Sequence, residues 1–232
     1  MQKKSVVITQ SNYIPWKGYF DSIRKVDVFV VYDDMQYTKR DWRNRNLIKT
    51  SQGLKWLSIP VEVKGKYFQK IKETKIADKN WNLSHWETIK HSYKNAKCFK
   101  QTAEWLEPLY KNCNFDFLTD VNLHFIREIN KYLEINTEIR FSSEFQLAEE
   151  KNERLLNICK ELNISDYYSG PAAKKYMKED VFIKNKVKVH YWDYSNFPVY
   201  DQLNGDFEHG VSIIDLLMNE GMKAKQYLDK HG

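Results

Sequence analysis

Short apolar runs alternate with helical spacing in the first part of the chain. Residues 6–8 and 26–32 are rich in Val, Ile and Phe, which is typical of buried strands. Between them, Tyr19, Phe20 and Ile23 recur at the spacing of one helix face. A strand, a helix and a strand in this order form a βαβ unit, which predicts two parallel strands.

Further elements follow along the chain. Apolar residues at helical spacing predict helices over residues 81–93, 115–133, 154–162 and 212–219, and Gly170-Pro171 opens another short helix. Further strands are predicted at residues 56–61, 138–141, 166–169 and 187–191, with a short extended piece at 71–76. We therefore predict an α/β fold, Rossmann-like, with a mainly parallel sheet flanked by helices and a helical insertion over approximately residues 80–135. Residues 1–232 are predicted to form a single domain.

Composition narrows the class of protein. With 42% hydrophobic and 29% charged residues, the 232-residue chain can build a core. Its apolar runs are too short for a membrane span or a signal peptide, so we expect a cytoplasmic protein. The three cysteines and six histidines follow no disulfide or metal-binding pattern, so no metal site is predicted. A net charge of +6 fits an anionic small ligand and also permits nucleic acid.

A polar and aromatic loop follows the first predicted strand. Ligands of parallel sheets bind outside the carboxyl ends of the strands, and a helix N-terminus there offers free N–H groups to an anion. Asn12, Tyr13 and Trp16 are therefore candidate substrate-binding residues, and Gly18 would let a ligand approach the backbone. The alternative is an ordinary tight turn with Trp16 packed in the core.

Two adjacent carboxylates end the second predicted strand. Asp33 and Asp34 are costly to bury without partners. They could act as a general base, bind sugar hydroxyls or hold Mg²⁺ beside a phosphate. Alternatively, they pair with nearby arginines and fix a loop. We predict that one of them is the catalytic base and that Gln36 and Tyr37 contact the substrate.

Basic and aromatic residues interleave directly afterwards. Arg40, Arg43 and Arg45 surround Trp42 in a chain that otherwise prefers Lys, and the planar guanidinium suits phosphate and carboxylate groups. We predict that these four residues bind substrate, with Arg43 and Arg45 holding a diphosphate. A solvated basic face is the plain alternative, and a nucleic-acid patch has the same composition.

Two later segments complete the candidate site. Ser169 and Gly170 lie between a predicted strand and a helix, which is another arrangement that binds anions. Gln202 precedes the last predicted helix and is a further candidate. Ser212, with Asp215 three residues later, is interpreted first as a helix N-cap with an acidic first turn.

The chain resembles the WbqC-like family of bacterial surface-polysaccharide gene clusters. The resemblance is carried by residues 10–21, 33–37, 41–46, 56–60, 168–170 and 212–217, in this order. Ser11 stands where the family often has proline. The resemblance implies a role in building O-antigen or a related glycan, and glycine or aminoacyl transfer to an amino sugar, but it supplies no catalytic residues. Residues 15–19 also occupy the place of the HxGH motif of nucleotidyltransferases, although both histidines of that motif are absent here.

Our leading expectation is a transferase that acts on the amine of a nucleotide-linked amino sugar or another phosphorylated small molecule. The cofactor is left open: ATP with Mg²⁺, or an activated aminoacyl donor such as a charged tRNA. The alternatives are an ATP-dependent ligase or nucleotidyltransferase-like enzyme and a non-catalytic glycan- or RNA-binding module.

Overall fold

The computed structural model describes residues 3–228. The strands are β1 (Ser5–Thr9), β2 (Val28–Val31), β3 (Arg45–Thr50), β4 (Gly53–Ser58), β5 (Glu138–Phe141), β6 (Asp166–Ser169) and β7 (Lys188–Tyr191). The helices are α1 (Lys17–Arg24), α2 (Trp81–Tyr93), α3 (Phe99–Lys111), α4 (Leu118–Tyr132), α5 (Lys151–Glu161), α6 (Glu179–Lys184) and α7 (Ile213–Glu220).

Five strands form one parallel sheet in the order β5-β2-β1-β6-β7. The predicted α/β, Rossmann-like fold with a mainly parallel sheet is therefore confirmed. From β1 the chain first adds strands on one side, β2 and then β5, and later adds β6 and β7 on the other. This reversal places the topological switch point at the carboxyl ends of the neighbouring strands β1 and β6. Ligands of such sheets bind at this point.

Both faces of the sheet are covered by helices. This is expected, because the strands carry apolar residues on both faces and do not alternate between apolar and polar residues. Val7 and Phe29 pack on one face with Phe20 of α1, in a core that also takes in the helical middle of the chain and α7. Val6 and Val28 lie on the opposite face, in a smaller core with residues of α5 and α6. The alternation along each strand decides which helix covers which residue.

The strand predicted over residues 56–61 lies outside the main sheet. β4 pairs antiparallel with β3 in a two-stranded hairpin, and it ends at Ser58, before Pro60. β3 was not predicted, because its sequence, Arg-Asn-Leu-Ile-Lys-Thr, carries few apolar residues. The extended piece predicted over residues 71–76 is wrong in part: Ile71–Glu73 is a 3₁₀ turn, and Lys75 and Ile76 form isolated bridges.

The predicted helical middle is present as α2, α3 and α4, of which α3 was not predicted. Its buried face is narrow, and it contains Pro108, which interrupts a helical pattern. Within residues 3–228, no helix combines the length and the apolar character that a membrane crossing requires.

Candidate functional site

A cavity of about 240 Å³, here called the switch-point crevice, opens between the carboxyl ends of β1 and β6. Thr9 and Gln10 contribute from the end of β1 and the residue after it, and Ser169 and Gly170 from the end of β6 and the residue after it. The crevice lies where the topology predicts a ligand, and two predicted residues, Ser169 and Gly170, are on its wall. The other residues that matter to its chemistry are Tyr19, Lys151, Tyr176, Trp192 and Tyr194.

The mouth of the crevice combines positive charge with aromatic rings. The Lys151 ammonium lies 3.2 Å from the centroid of the Tyr176 ring. Trp192 stacks on Tyr168 with ring centroids 4.7 Å apart, and its indole Nε1–H is buried without an acceptor among the described residues. This donor is enclosed by protein atoms, so the groups that the wall offers to a ligand are the Lys151 ammonium and the aromatic rings. The wall therefore suits an anionic ligand with a flat ring.

A second cavity of about 300 Å³, the tryptophan pocket, lies on the other side of the β1–α1 loop. Asn12, Trp16 and Trp42, all predicted as substrate-binding residues, are on its wall. The wall is largely apolar, and its remaining members come from the same loop, from β3 and from the segment before α7: Pro15, Asn46, His209 and Gly210. Indole faces with a few polar groups suit a sugar or a base, which both have flat or apolar faces and polar edges.

Arg43 connects the two cavities. One nitrogen of its guanidinium donates to Asn12 Oδ1, and the other donates to Gln10 Oε1 at 3.2 Å. Asn12 belongs to the tryptophan pocket and Gln10 to the switch-point crevice. The side chain keeps 15% of its surface exposed, and its ion pair with Asp41 is long, at 3.7 Å. Arg43 is itself on the wall of neither cavity, and it links the two through Asn12 and Gln10, whose side chains it holds in place.

Trp16 and Tyr194 form the wall between the cavities, with ring centroids 5.2 Å apart. The indole of Trp16 folds over the start of α1, so that a Cβ on Gly18 would lie 2.3 Å from its ring. With the indole of Trp16 in this place, only glycine fits at position 18. In this structure the indole occupies the place at which a ligand was predicted to approach the backbone.

The loop between β1 and α1 is held by hydrogen bonds in a strained conformation. Ile14 has φ 36°, which is an outlier for a β-branched residue. Its carbonyl accepts from Asn46 Nδ2 at 3.1 Å and from Ser212 Oγ at 2.7 Å. Asn46 also donates to the Tyr13 carbonyl at 3.1 Å. Such strain persists only where the surroundings enforce it, and it is common at functional sites.

We expect Asn46→Ala to lower the free energy of unfolding by about 2–3 kcal/mol, because it leaves the buried Tyr13 carbonyl without a donor and weakens the hold on Ile14. Urea unfolding followed by circular dichroism measures the change. Thr50→Ala, which removes an exposed hydroxyl at the end of the same strand, is the control. A loss below about 0.5 kcal/mol would show that Asn46 does not hold the loop.

Asp33 follows β2, is buried and contacts the loop between β1 and α1. Its carboxylate accepts from Ser11 N at 2.8 Å, Ser11 Oγ at 2.6 Å and Thr119 Oγ1 at 2.6 Å. Burial raises the pKa of Asp33, and the hydrogen bonds from Ser11 and Thr119 and the charge of Arg43 oppose the shift. These contacts join β1, β2 and α4. They favour a structural role for Asp33, and its predicted role as a base stays a prediction.

Asp34 faces a different, smaller cavity of about 190 Å³. Lys72 Nζ lies 2.5 Å and Lys70 Nζ 3.6 Å from Asp34 Oδ1, and Ser142 Oγ donates to Oδ2 at 2.8 Å. Burial raises the pKa of Asp34, but the hydrogen bonds from Lys72 and Ser142 and the charges of Lys72 and Lys70 outweigh it, so that the pKa is lowered. Asp34 is thus a paired carboxylate on the β2–β5 side of the sheet.

Four other predicted residues lie apart from both cavities. Tyr13 is fully buried and bonds to His85 and Tyr110, so its ring has no face free for a ligand. Gln36 is exposed and donates to the Tyr67 carbonyl, and Tyr37 is buried beside it. Gln202 lies in a buried network, where its amide bonds to Lys49 Nζ and to Asp215.

The arginines of the interleaved segment point in different directions. Unlike Arg43, Arg45 stacks on Trp56, with its Cζ 4.0 Å from the ring centroid. Arg40 is exposed, has φ 59° and accepts from Arg45 through its carbonyl. The predicted pair of diphosphate-binding arginines, Arg43 and Arg45, is thus divided between the cavities and the outer face of the hairpin.

Comparison with known proteins identifies the family of the chain. Residues 10–227, nearly the whole chain, match the WbqC-like protein family. The chain belongs to this family. It is 48% identical over 225 residues to the uncharacterized protein Rv1507c of Mycobacterium tuberculosis, and the match covers 97% of each chain. No solved structure matches the chain.

The crevice of this WbqC-like chain includes residues that the sequence did not reveal. Gln10 follows β1 directly, so the rule that selected Asn12 could also have selected it. Lys151, Tyr176, Trp192 and Tyr194 come from segments far apart in sequence, and only the fold brings them together. His209 contacts Phe207 beside the tryptophan pocket, and burial and the charge of Lys17 lower its pKa.

Lys17 is a buried cation at the start of α1. Its Nζ donates to the Pro198 carbonyl at 2.5 Å and lies 5.2–5.6 Å from the ring centroids of Phe197, Tyr200 and Phe207. Burial lowers the pKa of Lys17 to about 8, against the attraction of Asp215. The ammonium therefore fixes the segment before α7 to the first helix at a cost in desolvation.

We expect the stability of the wild type to rise relative to Lys17→Met as the pH increases from about 8 towards 10. The folded pKa of Lys17, about 8, lies below its ordinary value of 10.5, so the unfolded chain binds more protons in this window. Urea unfolding at about pH 7 and pH 9.5 measures the difference between the two proteins. Exposed Lys223→Met is the control, and a difference independent of pH would contradict the burial of the charge.

Proposed function

We propose that this protein is a transferase of bacterial surface-glycan biosynthesis, which moves an aminoacyl group to the amine of a nucleotide-linked amino sugar. The observation that carries the proposal is the pair of cavities joined by Arg43. A transfer reaction needs two substrates whose reacting ends meet, and in this proposal each cavity takes one substrate and the reacting ends meet at the rim of the wall formed by Trp16 and Tyr194.

The switch-point crevice would bind the nucleotide-linked sugar. It offers the positive charge of Lys151 and the aromatic rings of Tyr176 and Trp192. These groups match the phosphates and the base of such a ligand. The tryptophan pocket would bind the donor, and the sugar amine would lie between the cavities, near Arg43.

The amine has to lose a proton as it attacks the acyl carbon. The imidazole of His209 is on the wall of the tryptophan pocket, and its lowered pKa keeps it neutral and able to accept a proton near pH 7. Asp33 and Asp34, which the sequence suggested for this role, face other surroundings. His209 is therefore the base that fits the proposed arrangement.

A thermal-shift comparison of nucleotide-linked amino sugars, ATP with Mg²⁺ and RNA tests the proposal, because a ligand of the native state raises its melting temperature. We expect stabilisation by a nucleotide-linked amino sugar. Mass spectrometry of mixtures that also contain glycine, ATP, tRNA and a glycyl-tRNA synthetase then detects the acylated sugar. Stabilisation by ATP with Mg²⁺ alone would favour a ligase and contradict the transferase.

A further inference from the structure

Most of the excess positive charge lies in one segment. Residues 38–58 contain six basic residues and one acidic residue, a net charge of +5 in a chain whose total is +6. The segment comprises the loop before β3 and the β3–β4 hairpin. A positive field concentrated on one element is the electrostatic feature of a surface that binds a polyanion.

The same segment carries two indole rings and a guanidinium side by side. This surface, the hairpin track, consists of Trp42, Trp56 and Arg45. Trp42 and Trp56 are 42% and 41% exposed, and their ring centroids are 5.3 Å apart. The Arg45 guanidinium covers Trp56 at 4.0 Å. Exposed indoles beside a stacked guanidinium bind the bases of single-stranded nucleic acid by stacking and cation–π contacts.

The track leads into the tryptophan pocket, because Trp42 belongs to both. The opposite face of the hairpin is buried through Ile48 and Leu57, so the track faces solvent. At about 300 Å³, the pocket has room for one base with its ribose. A strand lying on the track would thus place its last nucleotide in the pocket, next to Arg43.

We infer that the hairpin track binds the single-stranded 3′ end of an RNA, and that an aminoacyl ester on this end is the donor of the reaction. The part that concerns the donor rests on the proposed function. In the transfer, the sugar nitrogen attacks the ester carbonyl carbon, and the new C–N bond forms as the C–O bond to the ribose breaks. The released ribose oxygen takes up the proton that the amine loses.

Stacking requires bases that are free of a duplex, since paired bases offer no open faces. Single-stranded RNA should therefore bind better than the same sequence in a duplex. Because phosphates meet the charge of residues 38–58, binding should weaken steeply with salt. An anionic membrane would respond to salt in the same way but would not discriminate between single and double strands.

The test is fluorescence anisotropy with a labelled single-stranded RNA ending in CCA, its duplex form and anionic phosphatidylglycerol vesicles. We expect Trp42→Ala, Trp56→Ala and Arg45→Ala each to weaken single-strand binding by roughly tenfold or more. Arg140→Ala is the matched control, because it removes another half-buried arginine that lies over a ring, Phe145, on the far edge of the main sheet. The control should bind as the wild type does.

Absence of RNA binding, unchanged binding in the three track variants, or binding of vesicles in its place would overturn the inference. Titration of a nucleotide-linked amino sugar into the same variants separates this inference from the proposed function. If the sugar nucleotide binds and RNA does not, the RNA inference fails and the proposed function stands. If RNA binds on the track and no sugar nucleotide does, the docking of RNA stands and the transferase fails.

Discussion

Arg43→Lys is expected to weaken the binding of a nucleotide-linked sugar by about tenfold or more, although the charge is kept. Two nitrogens of the guanidinium reach Gln10 and Asn12 at once, and a lysine ammonium cannot reproduce this forked contact. Without this contact Gln10, which is on the crevice wall, loses the partner that fixes its side chain, and the loss of one ligand contact of about 1.5 kcal/mol corresponds to a change of this size. Isothermal titration calorimetry measures the affinity.

Arg45→Lys is the matched control, because Arg45 stacks on Trp56 on the outer face of the hairpin. We expect its affinity for the sugar nucleotide to equal that of the wild type. The sequence alone had assigned both arginines to one diphosphate. Equal losses in the two variants would support that earlier hypothesis, and an unchanged affinity in Arg43→Lys would remove Arg43 from the site.

Asp33→Asn is expected to lower the free energy of unfolding by about 2 kcal/mol and to leave the rate constant of the folded enzyme nearly unchanged. The carboxylate accepts three short hydrogen bonds from Ser11 and Thr119, and an amide would place a donor among these donors. The cost is reduced because the amide carries no charge to desolvate. Urea unfolding and an activity assay give the two quantities.

The hypothesis drawn from the sequence expects the opposite result for this variant. If Asp33 is the base, the rate should fall by roughly a hundredfold or more, and stability should hold. His209→Ala provides the comparison, because in our account it loses the rate without loss of stability. A stable Asp33→Asn protein without turnover would contradict the structural role that its hydrogen bonds favour.

The fold could be predicted where one physical signal dominates. Runs of Val, Ile and Phe in β1 and β2 leave little alternative to buried parallel strands. The pattern of a strand followed by a helix N-terminus selected Ser169 and Gly170, which lie on the crevice wall. The hairpin strand β3 was missed because it is short of apolar residues and only half-buried.

The orientation of side chains in the loops could not be predicted. Tyr13 and Trp16 are both aromatic residues of the loop between β1 and α1. Tyr13 is fully buried, whereas Trp16 is on a cavity wall. Arg43 and Arg45 diverge in the same way. Side chains in a loop follow no regular repeat from which their direction could be predicted. Side chains in a strand alternate between the two faces of the sheet, so their direction can be predicted. Tyr194 and Lys151 reach the crevice only through contacts between distant segments.

If the switch-point crevice binds the nucleotide-linked sugar, a variant that fills the crevice should lose this binding. A Cβ on Gly170 would meet nothing closer than Tyr194 Oη at 4.0 Å, so Gly170→Phe can fill the crevice without disturbing the backbone. Gly210→Phe, on the wall of the tryptophan pocket, is the control, and its Cβ would lie 3.1 Å from the carboxylate at the flexible end of Glu208. Calorimetric titration of nucleoside-diphosphate-linked amino sugars should show binding to the wild type and to Gly210→Phe, and none to Gly170→Phe. Full affinity in a folded Gly170→Phe protein would contradict the account.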